Sequence, residues 1–424
     1  MKICFSVVTR SILLLWIVLW TNGLVAPGEA LANPVFARQY NMSCSVCHAA
    51  FPRLNTFGQN FVKENLRLPG WKEQTGIDTD DEMLVLPKIP PIAFRVQGYA
   101  QSRSADVAND TGTITQQSDY DLQAPYLIKL FSTAPLSDYL SYYFYAMMAE
   151  KGANGEILVE DAWISHSNIF NTGVGLMAGQ FQLSDLMFPR ETRLTFQDFI
   201  PYRMAGITYD RGVVFSHAIG RLAELDVGIS NGNGITQQST LNSAGFKRPD
   251  HAFDNNRSKT FFGRLGGELG SVSGGIFIAE GKQENASNNG LSKSHVQGID
   301  LSQNINDNIF WFAQYLQVTW KDFLSVDKNV SWFGGFVGVD YVYSDHWVFS
   351  GLYNYADAND LSNSGTIYEG IALNSLSGAV SYYFMRNAKL LIEANVDIQK
   401  TDVKNGVGHD TKEHYLLAGF DIAF

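Results

Sequence analysis

Residues 389–399 read KLLIEANVDIQ, and the parity of that stretch decides the fold. Leu390, Ile392, Ala394, Val396 and Ile398 share one parity. Lys389, Glu393, Asn395, Asp397 and Gln399 share the other, with Leu391 the single exception. A helix would scatter these side chains around its circumference, whereas a strand sends alternate residues to opposite faces. Residues 92–103 repeat the pattern, with Ile92, Phe94, Val96, Gly98 and Ala100 set against Arg95, Gln97, Tyr99, Gln101 and Arg103.

Sixteen runs of this kind are expected. They begin near Ile92, Pro125, Tyr139, Ile157, Gly173, Met204, Arg221 and Arg257, then near Val272, Ser294, Asn308, Ser331, His346, Ala372, Ala388 and Glu413. Runs of roughly nine to fourteen residues suit strands tilted across a bilayer. The connections alternate in length. Short ones fall at 134–138, 220, 270, 304–307, 344–345 and 385–387, and longer polar ones at 104–123, 183–203, 231–256, 281–293, 357–370 and 400–412. Short turns at one end and long loops at the other is the layout of an outer-membrane barrel. The chain ends YLLAGFDIAF, with Phe420, Ile422 and Phe424 at alternate positions. That ending is similar to the terminal signature of bacterial outer-membrane barrels. A last strand must pair with the first, because unpaired backbone in lipid costs several kcal/mol per group. The expected fold over residues 91–424 is therefore all-β, a transmembrane antiparallel barrel of about sixteen strands; a secreted β-sandwich is the competing architecture.

Composition agrees. Charged residues make up only 17% of the 424, while the chain holds 28 Phe, 19 Tyr, 8 Trp and 38 Gly but 12 Pro. The formal net charge of −11 and the lack of any basic run exclude nucleic acid as a partner, since phosphate binding needs clustered Lys and Arg. The lipid bilayer is the partner that the strand pattern implies.

Residues 1–32 have the order of an export signal. Lys2 and Arg10 precede or flank the apolar run SILLLWIVLW of residues 11–20, and Ala30-Leu31-Ala32 offers a cleavage site. The apolar core is shorter than the roughly 20 residues of a membrane span. Cys4 leaves with this segment, so Cys44 and Cys47 are the only cysteines that remain.

Those two stand in Cys44-Ser45-Val46-Cys47-His48, a C-x-x-C-H motif within residues 33–90. A redox dithiol would call for a βαβ context that is missing, and a zinc site for a second ligand pair. The motif instead predicts one c-type haem, held covalently by Cys44 and Cys47 with His48 as axial ligand to the iron. The opposite ligand is not fixed by sequence. Met42 is too close to Cys44 to reach the far face; Met83, His166 and His217 are the candidates, each with an ordinary packed or solvated role as the plainer reading. Fewer than sixty residues make a poor independent core. Phe36, Phe51, Leu54, Phe57, Phe61 and Leu66 must cover the haem, and a short, mostly helical segment that plugs the barrel lumen would supply the missing wall.

The stretch PVFARQYNMSCSVCHAAFPRLNTFGQNF (34–61) resembles the opening of the fused monohaem cytochrome–porins of the bacterial outer membrane. The outer-membrane iron oxidases of Fe(II)-oxidising bacteria belong to that family. The features that carry the likeness are Phe36-Ala37-Arg38-Gln39, the haem motif, Phe51-Pro52 and Phe57-Gly58. The resemblance implies oxidation of extracellular Fe(II), with the electron passed through the haem to a periplasmic c-type cytochrome. It places the haem segment in the lumen or on the periplasmic side. An acidic chain would attract a ferrous cation, and Asp185, Glu191 and Asp198 are candidate docking groups, a solvated loop being the plainer reading. Two other functions compete: a conduit for a different donor, and a diffusion porin whose haem plug is structural.

Overall fold

The computed structural model describes residues 35–68, 80, 91–108, 114–150, 157–220, 222–232, 256–286, 290–361, 364, 372–398 and 409–424. The expected export signal of residues 1–32, Met83 and most of the long connections at 231–256, 357–370 and 400–412 lie outside the described residues.

Three short helices and one small hairpin come first: α1 (Val35–Tyr40), α2 (Cys44–Cys47), α3 (Thr56–Lys63), β1 (His48–Ala50) and β2 (Arg53–Leu54). Sixteen strands follow. They are β3 (Ile92–Ala108), β4 (Ile114–Pro135), β5 (Leu140–Glu150), β6 (Leu158–Ile169), β7 (Val174–Gln182), β8 (Tyr209–Ile219), β9 (Ala223–Ser230) and β10 (Thr260–Leu269). After these come β11 (Val272–Glu284), β12 (Leu291–Asn304), β13 (Ile309–Ser325), β14 (Lys328–Val342), β15 (Trp347–Asp357), β16 (Leu373–Met385), β17 (Ala388–Asp397) and β18 (His409–Ala423). Each pairs antiparallel with its neighbour, and β18 pairs with β3 to close the barrel. At the seam the backbone of Phe424 exchanges hydrogen bonds with Phe94, at 2.8 and 2.7 Å, and the two rings stack. No sheet edge is left in the lipid, as the terminal pattern demands. Among the described residues no helix is long and apolar enough to cross a membrane.

The inside and outside of β17 explain its sequence. Leu390, Ile392, Ala394 and Val396 form the outward face, while Lys389, Leu391, Glu393 and Asn395 are buried inside. The exception Leu391 packs with Ala379 and Leu417 in the lumen, so it breaks polarity without breaking parity. The outward side chains of other strands, among them Ile276, Ile299, Val337 and Leu376, are exposed and apolar, which suits a lipid-facing wall.

Several boundaries differ from expectation. The long connection expected over 104–123 shrinks to 109–113, because both flanking strands continue beyond the apolar band. That over 281–293 likewise shrinks to 285–290. A strand that projects past the membrane has water on both faces, so its sequence loses the period-two signal. Met204 does not open a strand; it ends α4 (Ile200–Met204), and β8 begins at Tyr209. The connection 326–327 is a tight turn at the end otherwise occupied by long loops.

Residues 183–203, expected as a polar loop, fold into the barrel together with residues 204–208. Phe199 stacks on Phe336 with centroids 4.2 Å apart, and Phe188 stacks on Phe312 at 4.5 Å. Leu183, Met187, Phe199, Tyr202 and Ile207 join one buried cluster with inward residues of β10 to β15. Gly338 makes room for it: a Cβ there would strike the Phe312 ring. Glu393 accepts hydrogen bonds from the backbone of Phe196 and Gln197 at 2.6 and 2.8 Å, and Asn354 donates to the Asp198 carbonyl at 3.0 Å. The loop thus crosses the lumen and fills one side of it.

Candidate functional site

The turn Cys44–His48 is held by its neighbours in sequence. Ser43 caps α2, its hydroxyl accepting from the Ser45 amide. Asn55 caps α3 by accepting from Gly58, and its amide donates to the carbonyls of Val46 and Ser45 at 3.0 and 3.3 Å. The Asn55 amide N–H donates to the Cys47 carbonyl at 2.9 Å. Gly58 is required here, since a Cβ would collide with that same carbonyl. One residue, Asn55, therefore satisfies the open carbonyls of the motif and starts the helix that packs on it.

Cys44 and Cys47 form no disulfide. Burial pushes both thiols above their ordinary pKa. A redox dithiol lowers the pKa of its attacking cysteine, so this environment argues against that use. His48 hydrogen-bonds through Nδ1 to the Pro52 carbonyl at 3.1 Å, which leaves Nε2 as the nitrogen for a metal. Burial lowers the His48 pKa and favours the neutral ring that ligation needs. The donor set, the tautomer and the orientation fit an axial haem ligand beside two thioether positions. The adjacent pocket, lined by Cys44, His48, Phe51, Val348, Tyr383 and Arg386, measures only about 20 Å³. A pocket of that size would take only an edge of a porphyrin and would not enclose one.

The chain that follows the motif runs into the barrel. Tyr383 donates to the Phe51 carbonyl at 2.6 Å, and Ala50 and Phe51 pack with Leu194, Val348 and Ala423. Arg53 is buried 2.6 Å from Asp340, with its guanidinium 3.9 Å above the Phe310 ring. Lys63, Asn65 and Arg67 reach the turns at the short-turn end, bonding Glu268, Tyr139 and Asp138. Arg38 bonds the Ile92 carbonyl, where the barrel begins. Phe61 packs edge to face against both Phe36 and Tyr40.

The other sequence candidates fall elsewhere. His166 shares the parity of outward Ile164, stacks on Tyr139 and accepts from the Asn168 amide. His217 shares the parity of outward Phe215 and bonds the Gly173 carbonyl. Both stand on the lipid side of the wall, away from His48. Met42 lies beside the motif itself, and Met83 lies outside the described residues.

Asp185, Glu191 and Asp198 are neither a solvated loop nor an open cation site. Glu191 pairs with Lys129 at 2.6 Å and lies 3.7 Å from Arg95; Asp198 pairs with Arg190 at 2.8 Å. Against the burial that opposes their charge, these cations hold both carboxyls below the usual range. Asp185 accepts the Arg190 amide, and burial pushes it up to about 7. No group of three or more His, Cys, Asp or Glu among the described residues could hold a metal ion.

Opposite the aromatic filling lies a cavity of about 460 Å³, bordered by the inward faces of β3, β4, β17 and β18 and by the loop 183–208. Sequence reading passed over this cavity, because its wall comes from strands far apart in the chain. A usable signal was present: apolar Met187, Phe188, Leu194, Phe196 and Phe199 in a supposedly polar loop mark it as packed inward.

The fold is that of solved outer-membrane channels. The outer-membrane channel DcaP of Acinetobacter baumannii superposes with a TM-score of 0.54 at 14% identity, over 78% of this chain and 96% of its own. An anion-selective porin from Comamonas acidovorans gives 0.50 at 12%, over 78% and 100%, and Salmonella typhi OmpF gives 0.50 at 12%, over 79% and 98%. No family model and no curated protein matches the sequence. The chain has a porin-like outer-membrane barrel fold, a closed sixteen-strand antiparallel cylinder crossed by an inward loop.

Proposed function

We propose that this protein is an outer-membrane cytochrome–porin. It would carry one covalent c-type haem on Cys44 and Cys47 with His48 as axial ligand. It would take electrons from extracellular Fe(II) and hand them to a periplasmic c-type cytochrome. The observation that carries the haem reading is the His48 Nδ1 bond to Pro52, which leaves Nε2 as the ligating nitrogen beside two cysteines that form no disulfide. The iron donor and the cytochrome acceptor come from the family resemblance of residues 34–61.

When bound, the haem supplies a one-electron redox centre. The chain's own residues do the remainder. Asn55 fixes the turn that presents both cysteines, and the Pro52 carbonyl holds the His48 ring. Arg53 and Phe51 anchor the segment in the barrel at the short-turn end, which in this reading faces the periplasm, within reach of a soluble acceptor. Each Fe(II) gives up one electron and leaves as Fe(III); each acceptor gains one.

Stopped-flow absorbance of the purified full-length protein tests the reading. Reduction of a covalently attached haem by Fe(II), followed by reoxidation with a periplasmic cytochrome, is expected. A haem that another donor reduces but Fe(II) leaves oxidised removes iron from the proposal. A preparation without covalent haem removes the cytochrome reading altogether.

A second reading has its own observation. The cavity of about 460 Å³ beside the lumen-crossing loop is large enough for a small solute, as in a diffusion channel.

A further inference from the structure

Three lysines stand side by side on the outer wall of the barrel. In the antiparallel register Lys282 of β11 lies opposite Lys293 of β12, and Lys293 lies opposite Lys321 of β13. Residues opposite each other on one face have Cβ atoms about 5 Å apart, so three neighbouring strands carry their ammonium groups in one row. All three side chains are exposed. They share parity with outward Ile276 and Ile278 on β11, Ile299 and Leu301 on β12, and Tyr315 on β13. The row therefore belongs to the outside of the cylinder and not to the lumen.

The nearest carboxylates do not bridge the row. Glu280, on the same strand as Lys282, is hydrogen-bonded to His295 Nδ1 at 2.8 Å. Glu284 lies opposite Leu291. Asp322 follows Lys321 at the tight turn and accepts the Asp327 amide at 2.8 Å. Among the described residues none of the three ammonium groups is in an ion pair. Like charges set directly opposite one another weaken a sheet, and a bound anion relieves that repulsion.

The level of the row indicates which anion. Below it Tyr315, Phe333 and Tyr355 form an outward aromatic row, with ring centroids 6.1 and 5.9 Å apart. Aromatic rows of this kind border the apolar band of a membrane barrel. Between the two rows the outward side chains turn polar, as His295, Gln297, Gln317 and Thr319. At about 3.3 Å per residue and a tilt of about 40°, Lys321 stands roughly 15 Å above Tyr315. That is beyond the acyl chains, at the end with the long loops, where head groups and sugars of the outer leaflet lie.

We infer that the outer face of β11, β12 and β13 binds the phosphorylated head group of an outer-leaflet glycolipid. Lys282, Lys293 and Lys321 hold the phosphate, and the polar side chains below them meet the sugar. A lysine ammonium suits phosphate as a point charge, and basic clusters beside a membrane attract anionic head groups. The docked lipid would shield the row and fix the height of the barrel in the membrane. The inference needs the barrel and its orientation, and holds whether or not residues 33–90 carry haem.

Lipopolysaccharide with phosphates on its core sugars is the probe, beside the same lipid stripped of phosphate and inorganic phosphate alone. Full-length protein in detergent is titrated with each. The readouts are native mass spectrometry and the temperature at which the barrel loses its heat-modifiable gel mobility. Saturable binding of the phosphorylated lipid is expected, with a rise in that temperature. Affinity should be at least about tenfold lower for the stripped lipid, and for K282Q/K293Q/K321Q with the intact one. K282R/K293R/K321R should keep the parental affinity. Equal binding of both lipids by the parent protein overturns the inference without recourse to any variant. Equal binding by a folded glutamine variant overturns it too, as does a parent protein that shows no saturable binding. Inorganic phosphate that binds as tightly as the lipid assigns the row to a free anion and overturns the lipid.

Discussion

Arg53 and Asp340 offer the sharpest test of how the haem-motif segment is held in the barrel. The pair is 2.6 Å apart, and the two side chains are 5% and 4% exposed. Neither Arg53 Nη2 nor Asp340 Oδ2 is aligned for a hydrogen bond, so Coulomb attraction and the Phe310 ring carry the contact. Asp340→Ala leaves a buried guanidinium without its counter-charge. Removing one partner of a buried pair costs about 3–5 kcal/mol, and the imperfect alignment argues for the lower end. A loss of about 3 kcal/mol raises the undocked fraction of the segment by about 150-fold. Tryptic cleavage at Lys63 and Arg67 reads that fraction, since both side chains are tied to barrel turns when the segment is docked. The double replacement Arg53→Met with Asp340→Leu removes both charges and should restore most of the protection. Unchanged cleavage in Asp340→Ala, in a barrel of normal heat-modifiable mobility on gels, would refute the idea that this pair anchors the segment.

Other expectations follow from single contacts. Asn55→Ala removes a helix cap and two bonds to the motif's carbonyls, and should lower stability by about 1–3 kcal/mol in thermal unfolding. Replacing Cys47 by Ala should abolish haem staining on denaturing gels at full attachment stoichiometry, whereas His48→Ala should leave the stain and shift the haem absorbance. Asp185 has a folded pKa raised to about 7 by burial, against an ordinary value of 3.8. The unfolded chain therefore holds fewer protons between these values, so this group makes the protein less stable as pH rises from about 4 to 7. Asp185→Asn keeps an acceptor for the Arg190 amide, and should raise the melting temperature at pH 8 while changing little at pH 4. An identical pH profile in the variant would show that Asp185 does not titrate in this range.

Much of the architecture was legible in the sequence because a membrane barrel enforces local rules. Every strand must alternate, since one face meets lipid and the other the lumen; KLLIEANVDIQ does so residue by residue in β17. Sixteen strands close the barrel as expected, although the starts expected near Pro125 and Met204 are displaced to Ile114 and Tyr209, and Phe424 closes the seam. Ser43, Asn55 and Gly58 act within a few residues of the cysteines, so the form of the C-x-x-C-H turn is likewise a local matter.

What the sequence could not supply is any contact made across the cylinder. Parity marks Lys389 and Glu393 as sharing a face, but only closure shows that this face is the interior and that loop 183–208 reaches across to Glu393. The same closure turns Glu191 and Asp198 from candidate cation ligands into members of internal ion pairs, and Asp185 into a buried acceptor for the Arg190 amide. It also turns His166 and His217 outward, because strand pairing in a closed ring fixes which parity looks inward. The sequence by itself determined the strands, their order and the motif turn. The tertiary structure decided what the lumen holds: an aromatic filling on one side, and a cavity bordered by internal ion pairs on the other.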